Sequence, residues 1–131
     1  MFNRKKQPAM KSLIAEDSSI SGNMTFTHGI RIDGEVNGDV RASEGHASLL
    51  VISESAKVQG SVIADHIIIN GTVKGPVFAV HMLELQPKAR IEGDVHYAAL
   101  EMHQGALITG QLRPLLADEA KPTLKLAANN Q

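Results

Sequence analysis

One glycine-centred unit, repeated along most of the chain, decides what this sequence can fold into. Nine of the eleven glycines are followed two positions later by a large aliphatic residue, as in Gly22–Met24, Gly34–Val36, Gly38–Val40, Gly60–Val62, Gly71–Val73, Gly75–Val77, Gly93–Val95, Gly105–Leu107 and Gly110–Leu112. Many are also preceded two positions earlier by an aliphatic, among them Ile20, Ile32, Val58, Ile69, Ile91 and Ile108. The unit is [IV]-x-G-x-[VML]. A period of two sends alternate side chains to opposite faces of a strand. Helical spacing is not sustained anywhere in this region.

Taking one glycine per unit gives Gly22, Gly38, Gly60, Gly75, Gly93 and Gly110, with gaps of 16, 22, 15, 18 and 17 residues. Such gaps fit one turn of a three-sided coil with about 5–6 residues per side. The heptapeptide GEVNGDV (34–40) returns as GTVKGPV (71–77), 37 residues and two turns later. The long gap holds the polar stretch Ser43-Glu44-Gly45-His46-Ala47, which reads as a loop bulging from one corner. A propeller blade needs about 40 residues, too many for this length. A sandwich needs hairpin turns, and Asn-Gly occurs once, at Asn70-Gly71. The pattern therefore predicts an all-β chain, a parallel β-helix of about six coils with triangular cross-section. At about 4.8 Å per coil the rod is roughly 25–30 Å long.

Ile20, Met24, Ile30, Ile32, Val36, Val40, Leu50, Ile52, Val58 and Val62 should point inward. So should Ile67, Ile69, Val73, Val77, Leu83, Leu85, Ile91, Val95, Leu100, Met102, Ile108 and Leu112. Glycines between two inward aliphatics should also face a core too narrow for a side chain. The core must be aliphatic, because aromatics are 3% of the chain and Trp is absent.

The pattern divides the chain into a basic N-terminal arm (1–12), the β-helix (13–113) and a Pro-containing tail (114–131). The arm and tail read as flexible, with a short helical turn at Leu115 to Ala120. Neither end of the repeat carries a clear polar cap. Uncapped solenoid ends expose core and unpaired strand edges, which a second rod can cover. Contacts that do not close into a ring give an open filament. The residues expected at that interface are Ile14, Ile20 and Met24 at one end, and Leu107, Ile108 and Leu112 at the other.

The chain resembles the bactofilins, bacterial polymer-forming cytoskeletal proteins. The resemblance rests on Ile32-Asp33-Gly34-Glu35-Val36-Asn37-Gly38-Asp39-Val40, on Val58-Gln59-Gly60-Ser61-Val62, on Gln86 to Gly93 and on Gly105 to Pro114. It covers about Ile14 to Pro114. It implies a right-handed, single-stranded β-helix, polymerisation without nucleotide, and a scaffold role toward cell-wall enzymes or polarity factors. No cofactor is expected.

The arm carries Arg4, Lys5, Lys6 and Lys11 and no acid, so it is +4 on a body of −5. Met1 and Phe2 lie ahead of these cations. An apolar tip beside cations suits an anionic bilayer, each cation contributing about 1 kcal/mol. A filament would repeat that weak anchor at every subunit. Met1, Phe2, Arg4, Lys5 and Lys6 are therefore the membrane-binding candidates. The expected location is cytoplasmic, on the inner face of the cytoplasmic membrane. The near-neutral total charge gives no nucleic-acid signature. The absence of Cys excludes disulfides and thiolate metal sites.

The enzymatic alternative is the left-handed hexapeptide β-helix of trimeric acyltransferases and γ-type carbonic anhydrases. It needs aliphatics every six residues. From Val58 that series runs Ala64, Asn70, Pro76, and from Val62 it runs Ile68, Lys74, Val80, so both break. No Ser-His-Asp set, phosphate loop or coherent carboxylate pair is visible. His66 and His81 each follow a repeat glycine by six residues and could stack, but His96 breaks that register, so a zinc site is weakly supported. The acids Asp33, Glu35, Asp39, Glu92 and Asp94 alternate with inward aliphatics and should face solvent.

Overall fold

The alternation resolves into fifteen short strands, all paired in parallel, in a computed structural model that describes residues 9–115. They form six coils of three faces each. Coil 1 holds β1 (Met10–Ile14), β2 (Ser19–Ser21) and β3 (Met24–Phe26); coil 2 holds β4 (Gly29–Ile32), β5 (Glu35–Asn37) and β6 (Val40–Ala42). Coil 3 begins with β7 (Leu49–Ile52) and β8 (Lys57–Gln59). Three longer strands, β9 (Val62–Ile69), β11 (Val77–Leu85) and β13 (Val95–Met102), then run through a corner, each closing one coil and opening the next. The second face is completed by β10 (Thr72–Lys74), β12 (Arg90–Glu92) and β14 (Leu107–Ile108), and the stack ends at β15 (Leu112–Pro114).

Equivalent inward residues sit directly above one another. On the second face Ile20, Val36, Val58, Val73, Ile91 and Ile108 form one column. Val36, Val58 and Val73 are fully buried there. Fully burying such a side chain contributes about 1.5–3 kcal/mol. Most of the expected inward set is buried, from Ile30 to Val95. Met102 and Leu112 face inward but remain 44% and 48% exposed, because they lie in the last coil. Phe26 and the alanines Ala56, Ala64, Ala79 and Ala89 are buried too, although the aliphatic pattern does not mark them.

The repeat glycines are explained by stacking rather than by a narrow core. Gly22, Gly38, Gly60, Gly75, Gly93 and Gly110 form a column at the corner between the second and third faces. A Cβ on Gly75 (φ +155°) would run into the carbonyl of Gly60 one coil below. The same contact recurs from Gly38 onward. The inward-facing role expected for these glycines is therefore replaced by clearance for the neighbouring coil.

The residue after each glycine often staples two coils. Asn23 Oδ1 accepts from Asp39 N–H, Asp39 Oδ1 from Ser61 N–H and Asp94 Oδ1 from Gln111 N–H, each at 2.9 Å. Asp39 and Asp94 thus do more than face solvent.

The corner between the first and second faces alternates in width. Coils 1, 3 and 5 make four-residue turns closed by Ser18 N–H to Ala15 O, Ala56 N–H to Ser53 O and Ala89 N–H to Gln86 O. Coils 2 and 4 turn tightly at Gly34 and Gly71, whose missing Cβ makes room for the carbonyls of the wide turn below. This alternation is the physical basis of the 37-residue recurrence. The stretch 43–47 leaves the stack between β6 and β7, as expected.

The stack differs from expectation at its start. Met10, Lys11 and Ser12 belong to β1, against Gly29 and Ile30, rather than to a flexible arm. Pairing to a full strand beneath outweighs their weak apolar pattern. Of the tail, the described part is Pro114, the last residue of β15, and Leu115. The helical turn expected at Leu115 to Ala120 lies almost wholly outside the described residues.

Candidate functional site

The stacking that buries the middle coils leaves the two ends uncovered by any other described residue. At the first end Ile14, Ile20 and Met24 come one from each face, in register with Ile32, Val36 and Val40. All three pack on the core yet stay partly exposed, for lack of a coil beyond them. Phe26, 6% exposed, fills the same layer beside them. The alternation pattern overlooked it because it follows Met24 by two positions with no glycine unit of its own.

At the other end Leu100, Met102, Ile108 and Leu112 stand over Leu83, Leu85, Ile91 and Val95. Leu107 does not belong to this layer. It is in register with the exposed Arg90, so it points outward and is 55% exposed. Of two adjacent residues on a strand one faces in, and here that one is Ile108.

Among the described residues, the large exposed hydrophobics are Met10, Leu13, Val80, Met102, Leu107, Leu112 and Leu115. All but Val80 lie in the first coil, in the last coil or just past it. Among the described residues both ends also present unpaired edges: β1, β2 and β3 on one side, the end of β13, β14 and β15 on the other. Such edges are templates for another strand. No helix caps either end among the described residues.

The membrane-binding candidates Met1, Phe2, Arg4, Lys5 and Lys6 lie outside the described residues. No helix among the described residues is long and apolar enough to cross a membrane.

No three histidines converge among the described residues. His66 is in register with Leu49 and Met82, and His81 falls in the irregularity between Ala79 and Met82, so the two do not stack. His28 and His46 pair at 5.2 Å between ring centroids. His96 lies over Phe78 at 4.3 Å, and neither of its ring nitrogens has a partner. Burial holds its pKa down, and Arg113 adds to the shift. A groove of about 650 Å³ opens where the 43–47 loop leaves the stack, beside Arg41, Asp65, Val80 and His81.

The acids separate into two kinds. Asp33 accepts from Ser53 Oγ (2.5 Å) and Arg31 Nε (2.8 Å), and these bonds lower its pKa. Asp94 is lowered by Gln111 N–H and then by Arg113 Nε, 2.9 Å away. Glu84 and Glu101, by contrast, are stacked in register with each other on adjacent coils. The coherent carboxylate pair that sequence inspection does not find is therefore present. Its members are 17 residues apart, and one coil of winding brings them together.

These features define a class: a parallel β-solenoid whose apolar core, among the described residues, is open at both ends. The family model for bactofilins, described as polymer-forming cytoskeletal, matches residues 12–113, and the chain belongs to the bactofilin family. It is 27% identical over 93 residues to bactofilin BacP of Myxococcus xanthus (strain DK1622), covering 71% of this chain and 37% of that protein. The chain thus matches well under half of that relative's length. The solid-state NMR structure of the cytoskeletal bactofilin BacA superposes with a TM-score of 0.68 at 30% identity, over 79% of this chain and 95% of that one.

Proposed function

We propose that this chain is a non-enzymatic structural subunit that assembles end to end, without nucleotide, into filaments. The observation that carries the reading is the partly exposed apolar layer (Ile14, Ile20, Met24 at one end; Leu100, Met102, Ile108, Leu112 at the other) and the unpaired strand edges in the first and last coils among the described residues. Stacking a second molecule on each end buries those layers and pairs those edges, and an open series of such contacts has no fixed length. Negative-stain microscopy of the purified protein without nucleotide tests this. Filaments are expected from the native chain, and short particles from Met24→Asp or Leu112→Asp at unchanged circular dichroism. Filaments of native length from both variants would overturn it.

The filament lies on the inner face of the cytoplasmic membrane, held by Met1, Phe2, Arg4, Lys5 and Lys6, and serves as a scaffold for cell-wall enzymes or polarity factors. The +4 charge of residues 1–12 and the apolar tip support the membrane part. Phe2→Asp should lower co-sedimentation with anionic liposomes while filaments persist; undiminished pelleting with lipid would refute the anchor.

A further inference from the structure

Three metal-ligating side chains converge on the outer side of the first face, in the last two coils. Glu84 on β11 and Glu101 on β13 are register partners. Leu83 and Leu85, which flank Glu84, are buried, and Leu100 and Met102, which flank Glu101, stand over them in register, so both carboxylates point away from the core. His103 follows at the corner. Its N–H donates to Leu85 O at 2.8 Å and its carbonyl accepts from Ala106 N–H at 3.2 Å, which fixes the backbone carrying the ring. From there Nε2 lies 3.3 Å from Glu84 Oε2 and 3.3 Å from Glu101 Oε2. All three donor atoms fall within 4.8 Å of one another.

We infer that Glu84, Glu101 and His103 form a binding site for a divalent transition-metal ion of the zinc type. Bonds of about 2.0–2.2 Å to a tetrahedral ion place neighbouring donors about 3.4 Å apart. Both histidine–carboxylate spacings already have that value. The carboxylates close on each other by rotation of Glu101, the more exposed of the two. Gln86 Nε2 donates to Glu84 Oε2 at 3.3 Å, the kind of outer hydrogen bond that orients a ligating carboxylate.

The charge of the stacked pair also favours a cation. Three other surface carboxylates meet a permanent cation: Asp33 with Arg31, Glu54 with Lys88, Asp94 with Arg113. Among the described residues, Glu84 and Glu101 have no Lys or Arg within ion-pair distance, and stack like charge on like. A divalent ion on the neutral imidazole offsets both charges. One imidazole with two carboxylates suits zinc better than the all-oxygen sets of magnesium or calcium. The fourth position faces solvent.

The test is calorimetric titration of the untagged full chain with zinc chloride at neutral pH, beside His103→Gln, Glu84→Gln and the control His46→Gln. One zinc per chain is expected with a Kd below about 100 μM. His103→Gln and Glu84→Gln should weaken binding by more than about tenfold, and His46→Gln should not. Zinc should raise the melting temperature of the native chain and not of His103→Gln. Failure of the native chain to saturate by millimolar zinc overturns the site. Equal binding by all four proteins also overturns it. Neither readout depends on filament formation.

Discussion

Val95 and Leu112 hold the same inward position on the third face, one coil apart and in register. Val95 is 0% exposed and Leu112 is 48% exposed. Leu85 and Met102 repeat the contrast on the first face, at 0% and 44%. Residue type does not separate these pairs. What separates them is whether a coil lies on both sides. In a solenoid burial belongs to the stack, so the middle coils carry stability and the end coils carry unsatisfied surface.

The sharpest test of that contrast is to cut the same kind of side chain in both regions. Ile67→Ala, between Leu50 and Leu83, is expected to cost about 2–5 kcal/mol in urea denaturation. Leu112→Ala should cost about 1 kcal/mol, since half its surface is already in water. Equal losses would erase the distinction between middle and end.

Glycine gives a second comparison, of smaller size. Gly75 and Gly45 both have positive φ, +155° and +89°, but a Cβ meets the Gly60 carbonyl at the first and nothing within 4 Å at the second. Gly75→Ala should therefore cost more than about 2 kcal/mol, and Gly45→Ala about 1 kcal/mol from left-handed strain alone. Thermal denaturation of the two variants separates stacking from backbone strain.

The smallest effect is in acid. Asp33 in coil 2 bonds Ser53 in coil 3, and its pKa is depressed in the folded chain. A depressed carboxylate stabilises the fold above its unfolded pKa, and that contribution is lost as pH falls through the folded value. Stability should therefore drop below the ordinary carboxylate range near 3.8, and Asp33→Asn should make the drop shallower. An identical acid profile would show that this tie between middle coils contributes nothing.

The repeat made the six coils and their inward columns legible, because each column repeats the same inward position in successive coils. What it hid has specific causes. Ala56, Ala64, Ala79 and Ala89 are buried at or near corners, where space is short and small residues carry no aliphatic signal. Leu107 and Ile108 are adjacent, and only the register against Arg90 and Ile91 decides which faces in. Met10 to Ser12 have too little alternation to be read as strand, and the partner β4 makes them one. The Glu84–Glu101–His103 trio is invisible for a further reason: its members meet only after a full turn of winding, and no local motif records that.

The alternation of wide and tight corners bears on how such a rod can change length. A tight glycine corner nests on a wide turn, and the wide turn of the next coil follows, so the fitting unit is a pair of coils. Inserting a single coil in the middle would set two corners of the same kind against each other, as happens once, between coils 5 and 6, where Gly105 lies against Pro87. Duplication therefore lengthens the rod without mismatch in steps of two turns. The 37-residue spacing between GEVNGDV and GTVKGPV is the length of that step.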